Sequence, residues 1–164
     1  MKTGEIDMRR RTLLTIAALL ATAPALAHGP QGHSVSRETA AGVPGDTNAL
    51  VRIVEISMQE GDGNMLFAPE EITVAVNEQV RFRLKNDGEL EHEFILGTAE
   101  EIEEHAEMMQ AMPDMDHDDP NAKRLQPKQT GDLVWKFSAP GELYFACLIP
   151  GHREAGMTGK IIVK

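Results

Sequence analysis

The sequence predicts an all-β protein, a single β-sandwich domain that carries one short helical insert. Its 164 residues are enough for one domain of ordinary size. Apolar and polar residues alternate over residues 50–58 (LVRIVEISM), which is typical of a strand with one buried face. About seven short segments of this kind in one small domain indicate a sandwich of two sheets. The predicted strands are 50–58, 71–76, 79–85, 92–96, 133–138, 142–148 and 159–163.

Turn signals separate several of these strands. Residues 61–64 (GDGN), 77–78 (NE), 86–88 (NDG) and 140–141 (PG) are rich in the residue types that tight turns require. Each signal lies between two predicted strands or next to one. The spacing therefore supports short strands joined by short connections.

The segment 98–120 departs from the strand pattern and predicts an insert. Its first part is rich in Glu, Ala, Met and Gln, which favour a helix, and Pro113 is expected to stop that helix. Residues 114–120 contain four aspartates and predict an acidic loop. The insert therefore combines a short helix with a loop inside an otherwise all-β domain.

The N-terminus has the pattern of an export signal. Arginines occupy positions 9–11, an apolar run covers 13–20, and Ala25-Leu26-Ala27 supplies small residues before a cleavage point. The apolar run is too short to span a bilayer. We therefore expect a signal peptide at 1–27, a flexible mature N-terminus at 28–48, and the folded domain at 49–164. The pattern leaves general secretory and twin-arginine export both open.

The mature protein is expected to be strongly acidic. The full chain carries 16 basic and 26 acidic residues, and cleavage after Ala27 removes four basic and two acidic ones. Such a surface repels nucleic acids and anionic lipids, and it attracts metal ions and cationic partners. We expect a periplasmic protein with no membrane insertion after processing.

One cysteine, one histidine and one methionine are closely spaced near the C-terminus. Cys147 ends a predicted strand, and His152 and Met157 follow with four residues in each gap. A lone thiol in an oxidising compartment cannot form an internal disulfide, so a metal is its usual partner. With His92, which opens another predicted strand, these residues make a His₂Cys set with a weak Met, the arrangement that binds copper. Zinc is the alternative metal, and core packing is the alternative role of Cys147 and Met157.

Residues 50–164 resemble the cupredoxin, or blue-copper, family, which includes plastocyanin, azurin, pseudoazurin and auracyanin. The resemblance is carried by the Cys147–Met157 loop and by segments 67–74 (FAPEEITV) and 141–147 (GELYFAC). It implies a Greek-key β-sandwich and a mononuclear copper site with His92, Cys147, His152 and Met157 as ligands. Many members have Asn directly after the upstream histidine, whereas this chain has Glu93.

The insert is rich in methionine, histidine and carboxylates. Nine acidic residues and no Lys or Arg lie between positions 100 and 119. On a helix, residues spaced at i, i+3, i+4 and i+7 share one face, which predicts an accessory Cu(I) site. The alternative is that the methionines pack the helix onto the sandwich. The candidate residues are His105, Met108, Met109 and Met112, with Met115 and His117 beyond Pro113.

The segments 92–97 (HEFILG), 104–109 (EHAEMM) and 118–122 (DDPNA) resemble the periplasmic copper-tolerance cupredoxins of the CopI type. That resemblance implies a role in copper tolerance, with copper ions as ligand and a periplasmic redox or copper-handling protein as partner. A one-electron shuttle of the plastocyanin or azurin kind is the alternative function. The six histidines are scattered, whereas multicopper oxidases and nitrite reductases need further copper centres with clustered histidines, so we expect no enzymatic activity.

Overall fold

A computed structural model describes residues 39–112 and 119–164. Within these residues the chain forms ten strands and one helix, and the seven predicted strands are all present. The three additional strands are two to four residues long, and their sequences, VP, MLFA and AKRL, show no alternation of apolar and polar residues. The elements are β1 (Val43–Pro44), β2 (Arg52–Glu60), β3 (Met65–Ala68), β4 (Glu71–Val74), β5 (Gln79–Asn86), β6 (His92–Gly97), α1 (Ala99–Ala111), β7 (Ala122–Leu125), β8 (Thr130–Lys136), β9 (Gly141–Ala146) and β10 (Thr158–Val163).

The strands form two five-stranded sheets, which confirms the predicted β-sandwich. One sheet has the order β1-β8-β5-β2-β3, and the other has the order β4-β10-β9-β6-β7. Most neighbours are antiparallel, but β2 pairs with β5 and β4 pairs with β10 in parallel. In the second sheet β6 and β9 are adjacent. The strand that begins with His92 therefore lies beside the strand that leads into Cys147.

Four phenylalanines pack against one another in the core between the sheets. Phe67, Phe82, Phe94 and Phe145 are all fully buried. Phe94 stacks on Phe145 with ring centroids 5.1 Å apart, and it also contacts Phe82 at 5.5 Å and Phe67 at 5.9 Å. Such aromatic pairs add stability beyond the area that they bury. The cluster therefore fixes β6 and β9, which carry the candidate site, to the opposite sheet.

The described fold begins before residue 49, the expected start of the domain. Strand β1 pairs with β8, Ala41 is buried, and the Trp135 indole Nε1 donates a hydrogen bond to the Ala41 carbonyl at 3.1 Å. Gly42 has φ +130°, and an added Cβ would approach the indole Nε1 to 3.0 Å. Small residues of this kind give no periodic signal. Residues 1–38, which include the predicted signal peptide, lie outside the described residues.

The predicted helix is present as α1 and is closed at its start by a capping box. The Thr98 hydroxyl accepts a hydrogen bond from the Glu101 N–H at 3.2 Å, and the Glu101 carboxylate accepts one from the Thr98 N–H at 2.8 Å. Ile102, Ala106 and Met109 face inward and pack with Ile95, Ala146 and Leu148. Helix α1 is short and mostly polar, and within residues 39–112 and 119–164 no helix could cross a membrane.

We expect Glu78 to make stability depend on acid pH. Arg52 Nε lies 2.7 Å from Glu78 Oε1, and this hydrogen bond, with a second one from the Ala75 N–H, holds the pKa of Glu78 below its ordinary value. A carboxyl with a depressed pKa stabilises the fold above its unfolded-state pKa, and this contribution is lost as pH falls through the folded-state pKa. Urea midpoints at pH 7, 5 and 3 should therefore fall less steeply for Glu78→Gln than for the wild type. Arg52→Gln should behave like Glu78→Gln, and an unchanged slope in both variants would contradict the assignment.

Candidate metal centre

The buried side chain of Asn86 fixes the loop that leads into His92. Its Nδ2 donates hydrogen bonds to the Leu90 carbonyl at 2.7 Å and the Leu125 carbonyl at 3.1 Å. Its Oδ1 accepts a hydrogen bond from the Gly88 N–H at 3.0 Å. These bonds satisfy a buried amide and hold the loop against β7. His92, the first residue of β6, is fully buried as a result of this placement.

The loop between β9 and β10 is closed by its own backbone hydrogen bonds. The Cys147 N–H donates to the Met157 carbonyl at 3.1 Å, and the Met157 N–H donates to the His152 carbonyl at 3.1 Å. Gly151 and Gly156 adopt positive φ angles of 90° and 103°, which allow the two turns that this short loop needs. The backbone therefore fixes the positions of all three candidate residues on the loop.

Three of the predicted ligand side chains converge at one point. Nδ1 of His92 lies 3.2 Å from Nδ1 of His152, and Sγ of Cys147 lies 3.3 Å from the same His152 atom. One donor atom from each residue lies within 4.8 Å of the others, so the group could hold a metal ion. Met157 is fully buried in the same core, and its backbone hydrogen bonds with Cys147 and His152 place it next to them in the loop. His92 and Cys147 are fully buried, whereas His152 is half-buried.

The surroundings of the thiol and of the His152 imidazole favour the uncharged form of each group in the metal-free protein. Burial, together with the nearby Glu93 carboxylate, raises the pKa of the Cys147 thiol to about 12, although the Glu93 N–H donates a hydrogen bond to Sγ at 3.3 Å. Burial and the neighbouring His92 lower the pKa of His152, which favours the neutral imidazole that metals require. One sulfur and two imidazole donors fit copper, and a bound cation would stabilise the buried thiolate.

The comparisons with known proteins agree with this geometry. The model for copper binding proteins of the plastocyanin/azurin family matches residues 54–164. The chain belongs to this copper-binding family. It is 45% identical over 94% of its length to a copper-resistant cuproprotein CopI of Rubrivivax gelatinosus, covering 96% of that protein. It is 31% identical over 94% of its length to a CopI of Vibrio cholerae, covering 99% of that protein. Auracyanin B shares the fold, with a TM-score of 0.61 and 23% identity, over 76% of this chain and 96% of auracyanin B.

Glu93 occupies the position where many cupredoxins have Asn, and here its backbone makes the contact to the cysteine. The Glu93 N–H donates to Cys147 Sγ at 3.3 Å. Its carboxylate is buried and faces Arg124 across the β6–β7 pair, with Oε1 3.8 Å from the guanidinium Nη2. A buried charge is tolerated when it is paired in this way. The departure from the family pattern therefore leaves the N–H bond to the thiol in place.

Sequence reasoning missed Glu60, which contacts the upstream histidine of this cupredoxin. Oε1 of Glu60 lies 2.6 Å from Nε2 of His92. Although burial raises the pKa of Glu60, hydrogen bonds from the Glu89 and Leu90 N–H groups and from His92 lower it by more. Glu60 ends β2 and precedes a turn, so its sequence position gives no sign of a role at the metal centre.

The candidate accessory residues on α1 and at its C-cap, Met112, differ in exposure. Met109 is fully buried against the sandwich, whereas Met108 and Met112 are 43% and 45% exposed. Neighbouring helix residues are about 100° apart, so a helix that buries Met109 turns Met108 toward solvent. Nδ1 of His105 lies 4.0 Å from Oδ2 of Asp119. Met115 and His117 lie outside the described residues.

Helix α1 is also joined to the loop between β9 and β10. Arg153, the residue after His152, places Nη2 2.6 Å from Oε2 of Glu103. Glu103 is largely exposed, and a surface pair of this kind contributes only about 0–1 kcal/mol. The contact matters more for position than for stability, because it places the insert beside the loop that carries His152.

Proposed function

We propose that the protein binds one copper ion in the periplasm through His92, Cys147, His152 and Met157, and that it serves copper tolerance. The observation that carries the proposal is the convergence of one buried thiol and two imidazoles in a copper-binding family fold. The relatives named as copper-resistant cuproproteins support the tolerance role. The export pattern of residues 1–27 supports the periplasmic location.

The side chains of the site have distinct roles in this proposal. Cys147 supplies the thiolate that favours Cu(II), His92 and His152 supply neutral imidazoles, and the Met157 thioether is a weak soft ligand. Bound copper would supply one-electron exchange between Cu(I) and Cu(II). The closed backbone of the loop would hold Cys147, His152 and Met157 in place during that exchange, and burial of His92 and Cys147 excludes water. His152, half-buried, forms the edge of the site that reaches solvent.

The exposed methionines of α1 support a second, weaker Cu(I) site. Met108 and Met112 lie one helical turn apart and keep their thioethers accessible. The acidic residues around them raise the local cation concentration. The site would include His105 as the imidazole on the same helix, with Met115 and His117 beyond it. Buried Met109 would serve packing instead.

A titration with Cu(I) and a competing chelator tests the accessory site. Wild-type mature protein should bind more than one equivalent, and the double variant Met108→Leu/Met112→Leu should lose the weaker class while retaining the first. Met109→Leu is the matched control, because a buried methionine replaced by a residue of similar volume should leave the stoichiometry unchanged. Saturation of the wild type at one equivalent would contradict accessory binding.

The half-buried His152 also favours the alternative function, a one-electron shuttle. An imidazole ligand at the protein surface offers a route for electrons to a docked partner, and Leu148, Ile149 and Pro150 lie in the same loop. A deletion strain separates the two functions. Copper-sensitive growth with normal respiratory electron transport supports tolerance, and the reverse pattern supports the shuttle. Complementation with wild type but not with Cys147→Ser should restore growth in copper.

A further inference from the structure

The carboxylate of Glu60 is held in place from several sides. Its Oε2 accepts a hydrogen bond from the Glu89 N–H at 2.8 Å, and its Oε1 accepts one from the Leu90 N–H at 3.0 Å. Oε1 also lies 2.6 Å from Nε2 of the fully buried His92. Three donors around one carboxylate fix both its position and its charge. The carboxylate is therefore already oriented to accept a hydrogen bond from Nε2 of His92, the ring nitrogen that faces away from the candidate metal centre.

Gly88 shows that the loop is shaped around this carboxylate. A Cβ added at Gly88 would overlap the Glu60 carboxylate, with both oxygens closer than any real contact allows. Glycine thus permits the 86–91 loop to close over Glu60 and to present its N–H groups. The side-chain hydrogen bonds of Asn86 hold the closed loop in place, so the loop keeps Glu60 next to His92.

The hydrogen bond determines which nitrogen of His92 faces the site. An ionised carboxylate only accepts, so Nε2 of His92 carries the proton that lies between the two groups. In the neutral imidazole, Nδ1 then keeps its lone pair, and Nδ1 is the atom 3.2 Å from Nδ1 of His152. A carboxylate bound to the outer nitrogen also makes the ligating nitrogen a stronger donor.

From this arrangement we propose that Glu60 is a positioning residue for copper, which holds His92 in the Nε2–H tautomer and favours Cu(II) over Cu(I) by its negative charge. The inference rests on the proposed copper site and extends it. The charge acts through the imidazole, and it stabilises the more positive oxidation state more strongly because attraction grows with charge. Glu60 therefore sets which oxidation state the site prefers, while the four ligands hold the ion.

The tautomer can be measured without copper. Nitrogen-15 NMR of metal-free protein should show His92 as the Nε2–H tautomer in the wild type. Glu60→Gln should keep this tautomer, because the amide oxygen still accepts from Nε2, whereas Glu60→Ala should give a mixture of tautomers. Backbone amide spectra establish that each variant is folded. An unchanged tautomer in a folded Glu60→Ala protein would overturn the positioning role, and Glu60→Gln decides the charge effect if Glu60→Ala does not fold.

The charge effect is measured on the copper-loaded protein. Glu60→Gln should raise the Cu(II) dissociation constant about 10–100-fold, the usual cost of mutating a partner of a metal-bound histidine, because the negative charge is removed while the hydrogen bond is kept. The Cu(I) dissociation constant should change less, so the reduction potential should rise. Glu89→Gln is the matched control. It removes one negative charge from the same loop, but the Glu89 side chain is exposed and paired with Lys128. Equal effects of Glu60→Gln and Glu89→Gln would overturn the proposal.

Failure of this inference is distinguishable from failure of the proposed function. A wild-type protein that binds no copper would contradict the copper site, while the tautomer measurement on metal-free protein would still test the link between Glu60 and His92. A wild type that binds copper, with Glu60 variants of identical affinity and potential, would contradict only the role of Glu60.

Discussion

Cys147→Ser is expected to eliminate the strong visible absorption that arises from charge transfer between a thiolate and Cu(II). A serine hydroxyl remains protonated near neutral pH and supplies neither the negative charge nor the soft sulfur. The Cu(II) dissociation constant should rise by more than the 10–100-fold that is typical of losing a residue that only orients a ligand. Titration of mature protein with Cu(II), followed by optical and electron paramagnetic resonance spectra, measures both effects.

Met157→Leu is the matched control for Cys147→Ser. Leucine has nearly the volume of methionine, so the fully buried position should stay filled and the loss of stability should remain below about 1.5 kcal/mol. The thiolate band should persist in this variant, with an altered energy and a changed reduction potential, because only the proposed weak ligand is replaced. A wild-type protein without a strong visible band would contradict the copper site, and loss of the band in both variants would indicate a general disturbance of the loop.

Several of the predicted strands show a clear two-residue period. In β5, Val80, Phe82 and Leu84 alternate with more exposed residues, and all three are fully buried. Strands β3 and β7 have only four residues each, and their pairing depends on neighbours distant in sequence. Their sequences, MLFA and AKRL, show no alternation of apolar and polar residues, so sequence periodicity did not predict these strands.

In the candidate site, residues that are close in sequence could be predicted, whereas a residue that is distant in sequence could not. Cys147, His152 and Met157 lie on one loop, where residue type and spacing are enough to suggest copper. Glu60 lies 32 residues before His92, at the end of a strand in the other sheet. Its role depends on the closure of the 86–91 loop, which no spacing rule encodes. Partners that orient a ligand are therefore harder to predict than the ligands.

For helix α1, sequence reasoning predicted the helix but not its rotational phase, that is, which of its residues face the sandwich. The composition of residues 99–111 predicts a helix, and the Thr98-x-x-Glu101 pattern agrees with its observed start. Composition does not determine which methionine faces the sandwich. The burial of Ile102, Ala106 and Met109, spaced at i, i+4 and i+7, fixes the phase and leaves Met108 and Met112 exposed. Packing of the helix against the sandwich therefore determines which methionines are exposed.

Phe94→Ala is expected to give the largest loss of stability among the substitutions considered. Phe94 is fully buried at the centre of the phenylalanine cluster and contacts rings from both sheets. Truncation of a buried phenylalanine removes its burial energy and leaves a cavity, which costs about 3–5 kcal/mol. Urea denaturation of the metal-free protein should show this loss as a lower midpoint with an unchanged slope.

Two further substitutions separate the cavity from general effects of mutation. Phe94→Leu should lose less stability, since it leaves a smaller void, and Leu90→Ala, at a position 45% exposed, should change the free energy of unfolding by less than about 0.5 kcal/mol. Phe94 lies two residues after His92 on β6, so its loss should also weaken Cu(II) binding by loosening the upstream ligand. Full retention of stability in Phe94→Ala would mean that the two sheets are held together elsewhere. Retained copper affinity in a destabilised Phe94→Ala protein would mean that the 86–91 loop alone positions His92.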